Sequence, residues 1–318
     1  MNRMAMVFAA ACACLSLSAF AQAWPDRPVR ILVPFPPGGG TDIQARVLSV
    51  SFQRSTGQNF VIDNRTGAGG VIAAQLSADA APDGYTIFFT SAAFSVMPSL
   101  YGKRIKFDVL RDFAPVSWIS STPLVLVAHP STPAKTVPEL IALAKSKVMN
   151  AAGNTAGSTS HLTLEMLKQM AGLQSTVLTY RGGGPAVIAL ISGEAEYAIT
   201  TAPSIMPHIR SGKARALAVT TPKPSSALPD VPTMNKFFPG FEADNWYGLF
   251  FPKGTPRPIV MKMNGEVKKA LETPEMREFM PKEALDPVGG TPEDLGALLK
   301  REVDKYAKVV KAANIRAD

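Results

Sequence analysis

The sequence predicts an α/β protein with two doubly wound lobes. Short runs of β-branched and aromatic residues alternate with helical patterns, and loops of Gly, Ser, Thr or Pro join them. This alternation is typical of βαβ units in mostly parallel sheets. The chain has 318 residues, which is more than a single hydrophobic core usually contains, so two lobes are expected.

The predicted elements follow one another along the chain. VRILVP leads through FPPGGGTD into the helix IQARVLSVSFQRSTG, NFVIDN leads through RTGAGG into VIAAQLSADA, and the strand YTIFFTS follows. Further on, VMNAA leads through GNTAGSTS into HLTLEMLKQMAG, STVLTYR through GGG into PAVIALISG, and EYAITT through AP into SIMPHIRSG. These loops are expected to open at the carboxyl ends of the strands, which is where open α/β sheets bind ligands.

Several helix starts carry capping signals. Thr41 and Thr136 are each followed three residues later by Gln or Glu, the pattern of a capping box, which predicts that both threonines are N-caps. The Thr-Pro pairs at 273–274 and 291–292 place proline at the first helical position. These signals predict where the unpaired amides of each helix point.

Gly38, Gly39 and Gly40 lie between the first predicted strand and its helix. Without Cβ atoms they leave backbone amides accessible, and the positive end of the following helix favours an anion. A tight turn that the fold alone requires is an equally good interpretation. A nucleotide is disfavoured, because Ile43 replaces the third glycine of GxGxxG and no Gly-Lys-Ser/Thr sequence follows.

The sequence lacks catalytic and metal-binding patterns. His129, His161 and His208 are widely separated without metal-ligand spacing, and no GxSxG motif occurs. Ser158 lies three residues before His161, but a residue at a helix start is more often a cap than a nucleophile. The sequence therefore predicts a protein that is not an enzyme and that needs no metal or cofactor.

Residues 1–23 have the pattern of a secretory signal peptide. Arg3 precedes an apolar run, and small residues then mark a cleavage position after Ala21 or Ala23. The mature chain is therefore expected outside the cytosol, and no other run is long enough to cross a membrane.

Cys12 and Cys14 both lie in this N-terminal segment, so the mature chain would contain no thiol and no disulfide. Without Arg3, 32 basic and 25 acidic side chains remain, which gives a net charge of +7. Because these charges are scattered rather than clustered, they favour a small anion over nucleic acid as a partner.

Eight segments with recognisable motifs follow one another over essentially the whole mature chain: WPDRPVRILVPFPPGGGTDIQAR, FVIDNRTGAGGVIAA, APDGYTIFFTS, SHLTLEMLKQMAG, TYRGGGPAVIALISGEAEYAI, IRSGKARALAVT, LPDVPTM and WYGLFFPKGTP. Together they resemble the solute-binding proteins of tripartite tricarboxylate transporters, also called the Bug family. The resemblance implies a type II periplasmic-binding-protein fold, with two α/β lobes joined by two crossing segments. Lobe 1 would comprise residues 24–122 and 246–318, and lobe 2 residues 123–245.

The resemblance also implies a function. Family members are periplasmic receptors that close on a small organic carboxylate, so we expect a dicarboxylate, tricarboxylate or aromatic acid as the solute. The expected partners are the subunits of a membrane transporter, and the expected state is a monomer. A sensor subunit that presents a carboxylate to a two-component receptor is the alternative, and an exported enzyme is less favoured.

Carried onto this chain, the resemblance places a ligand carboxylate against the two glycine loops of the first lobe. The matching positions are Pro37, Gly38, Gly39, Thr41, Asp42, Gly67, Ala68 and Gly69. The end of the third strand would complete this wall through Thr90 and Ser91. The second lobe would meet the distal end of the solute through Asn154, Ser158, Ser160, His161, Tyr180 and Gly182.

Three further positions carry open alternatives or departures. Phe35 either packs against the carbon skeleton of the ligand or belongs to the core, and Arg181 either adds charge at the rim or is a solvated loop residue. Many relatives carry an acid at the end of the strand that corresponds to EYAITT, whereas this chain has Thr200, Thr201 and Ala202 there. We expect Thr201 at the site and a solute without an ammonium group. The segment NWYGLFFP is interpreted as a hinge strand and core.

Overall fold

The computed structural model describes residues 24–155 and 157–312. The predicted signal peptide, with its cleavage positions and both cysteines, lies outside the described residues. Within them, no helix combines the length and the apolar character that a membrane span requires.

Strands and helices alternate along most of the chain. The first group comprises β1 (Val29–Val33), α1 (Gly40–Thr56), β2 (Phe60–Asn64), α2 (Val71–Ala78), β3 (Thr86–Ser91) and α3 (Ala93–Tyr101). The next comprises β4 (Phe113–Ala128), α4 (Val137–Ser146), β5 (Asn150–Gly153), α5 (Thr159–Ala171), β6 (Thr176–Thr179), α6 (Gly183–Ile191), β7 (Tyr197–Thr201), α7 (Ala202–Arg210) and β8 (Arg215–Val219). The last comprises β9 (Asp244–Pro252), α8 (Arg257–Glu272), α9 (Pro274–Lys282), β10 (Asp286–Pro287) and α10 (Pro292–Ala312).

These strands form two sheets that share β4. In the first sheet the order is β2-β1-β3-β9-β4, with β10 also paired to β4; β1 is parallel to β2 and β3, and β9 is antiparallel to its neighbours. In the second sheet the order is β8-β4-β7-β5-β6. There β4 is antiparallel to β7 and β8, and β5 is parallel to β7 and β6. We call the layers around these sheets the first lobe and the second lobe. The predicted two-lobe α/β fold is confirmed.

Strand β4 passes from one sheet into the other without a break. Its residues Phe113 to Pro123 pair with β9, whereas Leu124 to Ala128 pair with β7 and β8. Thr220 lies beside this change of partner, where its hydroxyl accepts the Leu124 amide at 3.0 Å and its backbone amide donates to the Leu124 carbonyl. The lobe boundaries at 122/123 and 245/246 stay a prediction.

Both faces of each sheet are buried, as the alternation of side chains along a strand requires in a doubly wound fold. Phe88 and Phe89 are neighbours in β3, yet each belongs to a different hydrophobic cluster, and neither is exposed. Leu124 and Val125 divide in the same way between the two clusters of the second lobe. Helices therefore cover each sheet on both sides and leave the strand ends free to form a site.

The predicted cap at Thr136 is confirmed, and the threonines of both Thr-Pro pairs are caps as well. The hydroxyl oxygens of Thr136, Thr273 and Thr291 each accept a hydrogen bond from the amide three residues later, at 3.3, 3.4 and 3.1 Å. The helices α9 and α10 begin at the two prolines that the sequence indicated.

The prediction that Thr41 caps the first helix is wrong. Helix α1 begins at Gly40, its N-cap is Gly39 in an extended conformation, and Thr41 is buried in the first turn. Asp42 is the acidic residue in the first turn of α1, and its carboxylate accepts a hydrogen bond from the Gly38 amide at 3.1 Å. Because the cap residue has no side chain, no side-chain hydrogen bond covers the amides that begin the helix.

Candidate functional site

A cavity of about 40 Å³ lies where five helices begin. We call it the cradle. The N-caps or first turns of α1, α3, α5, α6 and α7 all contribute to its wall. The residues of the wall are Phe35, Gly39, Gly40, Thr41, Ser91, Ala93, Asn154, Ser158, Thr159, Ser160, Gly182, Gly183, Thr201, Asn245 and Tyr247.

None of the described residues in the wall of the cradle has a charged side chain. Its polar groups are hydroxyls, side-chain amides and the backbone amides at helix starts, and each helix start carries a partial positive charge. No group of three or more His, Asp or Glu side chains within the described residues could hold a metal ion. The cradle can therefore bind an anion by hydrogen bonds and dipoles, without an ion pair.

Asp42 holds the first glycine loop in place from behind the cradle. Its side chain is buried and accepts hydrogen bonds from the Gly38 amide at 3.1 Å, Arg46 Nε at 2.9 Å and Asn64 Nδ2 at 3.0 Å. Asn64 also donates to the Phe35 carbonyl at 2.9 Å. Burial alone would raise the pKa of Asp42, but the hydrogen bonds from Arg46, Gly38 and Asn64 outweigh it and lower this pKa below its ordinary value. Asp42 thus orders the loop as a carboxylate whose charge is already paired.

The second lobe contributes the start of α5. Ser158 is the N-cap of this helix, and its hydroxyl accepts the His161 amide at 3.2 Å, so the predicted capping role is confirmed. Asn154 Nδ2 donates to Ser160 Oγ at 3.0 Å. The Asn154 Oδ1 atom is buried and has no hydrogen-bond partner among the described residues. The second-lobe side of the cradle therefore has an acceptor atom, Asn154 Oδ1, that the described residues leave without a donor.

Tyr247 lines the cradle and is completely buried. Its hydroxyl makes no hydrogen bond of good geometry to the described residues, although the side chains of Gln44, Thr201 and Asn245 lie close to it. Burial raises the pKa of Tyr247, so the phenol stays neutral and keeps its proton. An added Cβ atom at Gly40 would overlap this hydroxyl. Tyr247 is thus both a core residue and a polar group of the site.

The structure brings together half of the residues that the sequence indicated. Those in the wall of the cradle are Phe35, Gly39, Thr41, Ser91, Asn154, Ser158, Ser160, Gly182 and Thr201. Those outside it are Pro37, Gly38, Asp42, Gly67, Ala68, Gly69, Thr90, His161 and Tyr180. Contact with a ligand stays a prediction for both sets.

The outer set has other roles in the structure. Gly67 and Ala68 line a neighbouring cavity of about 390 Å³, which we call the second chamber. The Tyr180 hydroxyl donates to Glu194 Oε1 at 2.7 Å, and His161 Nδ1 accepts the Gly157 amide at 3.2 Å.

Sequence reasoning missed six residues of the wall: Gly40, Ala93, Thr159, Gly183, Asn245 and Tyr247. The last two are separated by one residue in β9, so they face the same side of that strand. Trp246 between them belongs to a cluster on the other face. Asn245 and Tyr247 have polar groups at alternate positions in a strand that is apolar from Gly248 onward, and this spacing was the available signal.

Loops of the two lobes touch at the edge of the cradle. An added Cβ atom at Gly182 would lie 2.8 Å from Pro36 Cδ, and one at Gly184 would lie 3.3 Å from the Pro37 carbonyl oxygen. Such contacts leave no space for a side chain between the lobes. The loop at residues 36–38 of the first lobe is therefore in contact with the loop at residues 182–184 of the second lobe.

The profile of the tripartite tricarboxylate transporter family receptor matches residues 44–315. The chain belongs to this receptor family. It is 37% identical over 300 residues to the protein BugT of Bordetella pertussis, with 92% of this chain and 90% of BugT covered. The resemblance to the Bug family that the sequence indicated is therefore confirmed.

Two solved structures of proteins from Rhodopseudomonas palustris resemble the chain along most of its length. Rpa4515 with adipate has a TM-score of 0.88 and 33% identity, and covers 92% of this chain and 99% of its own. MatC with bound malate has a TM-score of 0.85 and 32% identity, and covers 90% and 100%. The tripartite tricarboxylate transporter receptor family is a family of solute-binding receptors rather than of enzymes.

Proposed function

We propose that this protein is a periplasmic receptor that binds a small organic carboxylate in the cradle and delivers it to a tripartite tricarboxylate-type membrane transporter. The observation that carries the proposal is the convergence of five helix starts on a cavity with no charged side chain. An anion is the ligand class that such a wall stabilises.

Interactions with the wall of the cradle can offset the free energy that a carboxylate loses when it leaves water. Each helix start contributes about 0.3–1 kcal/mol to an anion near it, and hydrogen bonds to a charged group contribute about 1.5–3 kcal/mol each. No acidic side chain faces the cradle to oppose this attraction, and Asp42 behind it is paired with Arg46 at 2.9 Å. Closure of the lobes would remove water and strengthen every one of these interactions.

The relatives narrow the class of solute. Rpa4515 was solved with adipate and MatC with malate, so two receptors of similar fold hold dicarboxylates. β7 ends at Thr201, and the chain continues with Ala202 and Pro203. None of the described residues that line the cradle has a carboxylate that could pair with an ammonium group. A carboxylate without an amino group is therefore the expected solute.

Delivery and location follow from the same proposal. The signal-peptide pattern of residues 1–23 and the receptor family both support export to the periplasm, where the protein would act as a monomer. The membrane subunits of the transporter would recognise the closed form. Nucleic acid has no role in this proposal.

The test is a thermal-shift screen of the mature protein against mono-, di-, tri- and aromatic carboxylates, followed by calorimetric titration. We expect at least one carboxylate to raise the melting temperature and to bind saturably. The Gly39→Val variant should keep its fold, because Gly39 has an extended conformation, but should lose binding, because the new side chain would enter the cradle.

The matched control is Gly265→Ala in α8, where a Cβ atom would meet nothing within 4 Å. This variant should bind like the wild type. Unchanged affinity in Gly39→Val would show that the cradle is not the site, and no response to any carboxylate would overturn the proposed function.

A further inference from the structure

A groove of about 620 Å³ lies on the first lobe, outside the cleft between the lobes. The segment 102–112, which joins α3 to β4, forms most of its wall, and Val303 of α10 also lines it. We call it the basic groove. None of the described residues in its wall lines the cradle or the second chamber. The basic groove is therefore separate from the proposed carboxylate site.

Two acidic residues hold the loop of the basic groove in shape. The Asp108 carboxylate accepts hydrogen bonds from the amides of Leu110 and Arg111 at 2.9 and 3.1 Å, and from Arg111 Nε at 2.9 Å. The Asp112 carboxylate accepts a hydrogen bond from the Asp108 amide at 2.8 Å. Both carboxylates thus bond within the loop, so the groove is preformed and its negative charge is directed at the protein itself.

The lysines beside the groove have no such partners. Lys103 and Lys106 are exposed, and their ammonium groups make no hydrogen bond or ion pair with the described residues. Lys300 is exposed three residues before Val303 in α10, so it lies on the same face of that helix. Its ammonium group also lacks a partner in the part of the chain that the structure describes. These three cations are available to another molecule.

The fold brings two basic segments together at this edge of the first lobe. The segment 102–112 contains four basic and two acidic side chains, and the segment 300–311 contains five basic and two acidic ones. Together they carry a net charge of +5, whereas the whole mature chain would carry +7. The charges are scattered in the sequence but adjoin in the structure, because α10 packs against α3 and Val303 faces the loop. Such a surface attracts a negatively charged partner.

Leu110 gives the basic groove an apolar contact point. Its side chain is 46% exposed and belongs to none of the hydrophobic clusters formed by the described residues. By contrast, Phe107 and Val109 of the same loop are buried in the core of the first lobe. An apolar residue surrounded by a polar rim has the composition of a protein–protein contact site.

We propose that the basic groove docks an acidic segment of a protein partner. An apolar side chain of that segment would pack on Leu110, and its carboxylates would lie beside Lys103, Lys106 and Lys300. The concave shape favours a peptide over a membrane, because a flat bilayer could not reach the wall between Val303 and the loop. This inference goes beyond the proposed function, since the groove would bind a protein rather than a solute.

The test uses a panel of fluorescein-labelled helical peptides of Glu and Leu that differ in the spacing of the two residues. Matched peptides carry Lys in place of Glu. We expect fluorescence anisotropy to show saturable binding of Glu peptides only, with an affinity that falls as the ionic strength rises from about 0.05 M to about 0.5 M. Lys106→Glu should weaken this binding by about 10-fold through repulsion, and Leu110→Ser by about 5- to 10-fold through loss of the apolar contact.

Two matched controls lie outside all three cavities. Lys213→Glu reverses an exposed charge, and Val148→Ser removes an exposed apolar side chain between α4 and β5. Both variants should bind the Glu peptides like the wild type. The inference is overturned if no Glu peptide binds, or if Lys106→Glu and Leu110→Ser bind them as tightly as the wild type does.

Vesicles test the membrane as an alternative occupant. Sedimentation with phosphatidylglycerol vesicles, and with phosphatidylcholine vesicles as the reference, should show no binding that Lys106→Glu removes. Binding to phosphatidylglycerol that this variant loses, without binding of any Glu peptide, would assign the groove to a membrane surface and overturn the inference. Carboxylate binding in the cradle is measured separately, so neither outcome bears on the proposed function.

Discussion

Gly40 packs directly against the hydroxyl group of Tyr247, with no space for a side chain between them. An added Cβ atom would overlap the Tyr247 oxygen and would lie 2.9 Å from Thr201 Oγ1. Gly40 belongs to α1, Tyr247 to β9, and Thr201 is the N-cap of α7 in the second lobe. One glycine Cα therefore lies where three elements of the site meet.

The Gly40→Ala variant tests this contact. The extra methyl group should displace Tyr247 and Thr201, so we expect a loss of affinity of at least about 10-fold and a loss of stability of about 1–2 kcal/mol from overpacking. The reference is Gly265→Ala, which should gain about 0.5–1 kcal/mol as a helix residue in open space and bind normally. Calorimetric titration and urea unfolding measure the two quantities. Wild-type affinity in Gly40→Ala would argue against the cradle.

Tyr247→Phe separates binding from packing. The ring would remain in the core, and the hydroxyl has no well-formed hydrogen bond in the described residues, so stability should change by less than about 0.5 kcal/mol. Carboxylate affinity should fall by about 3- to 10-fold through the loss of a donor. Because burial raises the pKa of Tyr247, this loss should be the same from about pH 6 to about pH 9.

The comparison for that variant is Tyr101→Phe, which removes a phenol hydroxyl at the end of α3, outside the cradle. Its carboxylate affinity should match that of the wild type. An equal loss of affinity in the two variants would mean that the Tyr247 hydroxyl does not act on the ligand.

Asp42→Asn tests the anchor of the glycine loop. The variant loses the charge that Arg46 pairs with and one acceptor oxygen, so its free energy of unfolding should fall by about 1–3 kcal/mol at neutral pH. Carboxylate affinity should fall as well, because the loop that forms the cradle would be less ordered. Denaturant unfolding across a pH series measures the first effect.

The pH dependence of this difference has a defined sign. The pKa of Asp42 is lower in the folded state than its ordinary value of 3.8, so ionised Asp42 stabilises the fold fully above that value. The contribution disappears as the pH falls below 3.8 and through the folded pKa. The gap between wild type and Asp42→Asn should therefore be widest at neutral pH and narrow in acid. Asp79→Asn, an exposed change at the end of α2, should show no such gap.

Thr136→Ala tests whether stability and binding can be separated in the second lobe. Thr136 caps α4, and loss of its hydrogen bond to the Glu139 amide should cost about 1 kcal/mol. Neither residue lines the cradle or the second chamber, so affinity for any carboxylate should not change. Weaker binding in this variant would contradict a site restricted to the two cavities.

Local patterns in the sequence predicted most of the fold. Strand–loop–helix alternation predicted the parallel strands and the loops at their carboxyl ends, and the caps at Thr136 and Thr273 followed from nearest-neighbour chemistry. The error at Thr41 arose because Gly39 and Asp42 fulfil the capping roles two residues earlier than the Thr-x-x-Gln pattern suggested.

The local patterns could not predict the wall residues that depend on pairing between strands distant in the sequence. Asn245 and Tyr247 reach the cradle because β9 inserts antiparallel between β3 and β4, which are distant from it in the sequence. No local propensity encodes such an insertion. Gly183 is part of the wall for a related reason, because it lines the cradle together with residues of the first lobe that are distant from it in the sequence.

The sharing of β4 between both sheets also determines how the molecule melts. Disruption of either sheet would deprive β4 of backbone partners that the other sheet needs, so two separate cores are coupled through one continuous ladder. Differential scanning calorimetry should then record a single endotherm rather than one for each core. Fragments cut at this strand should not refold independently.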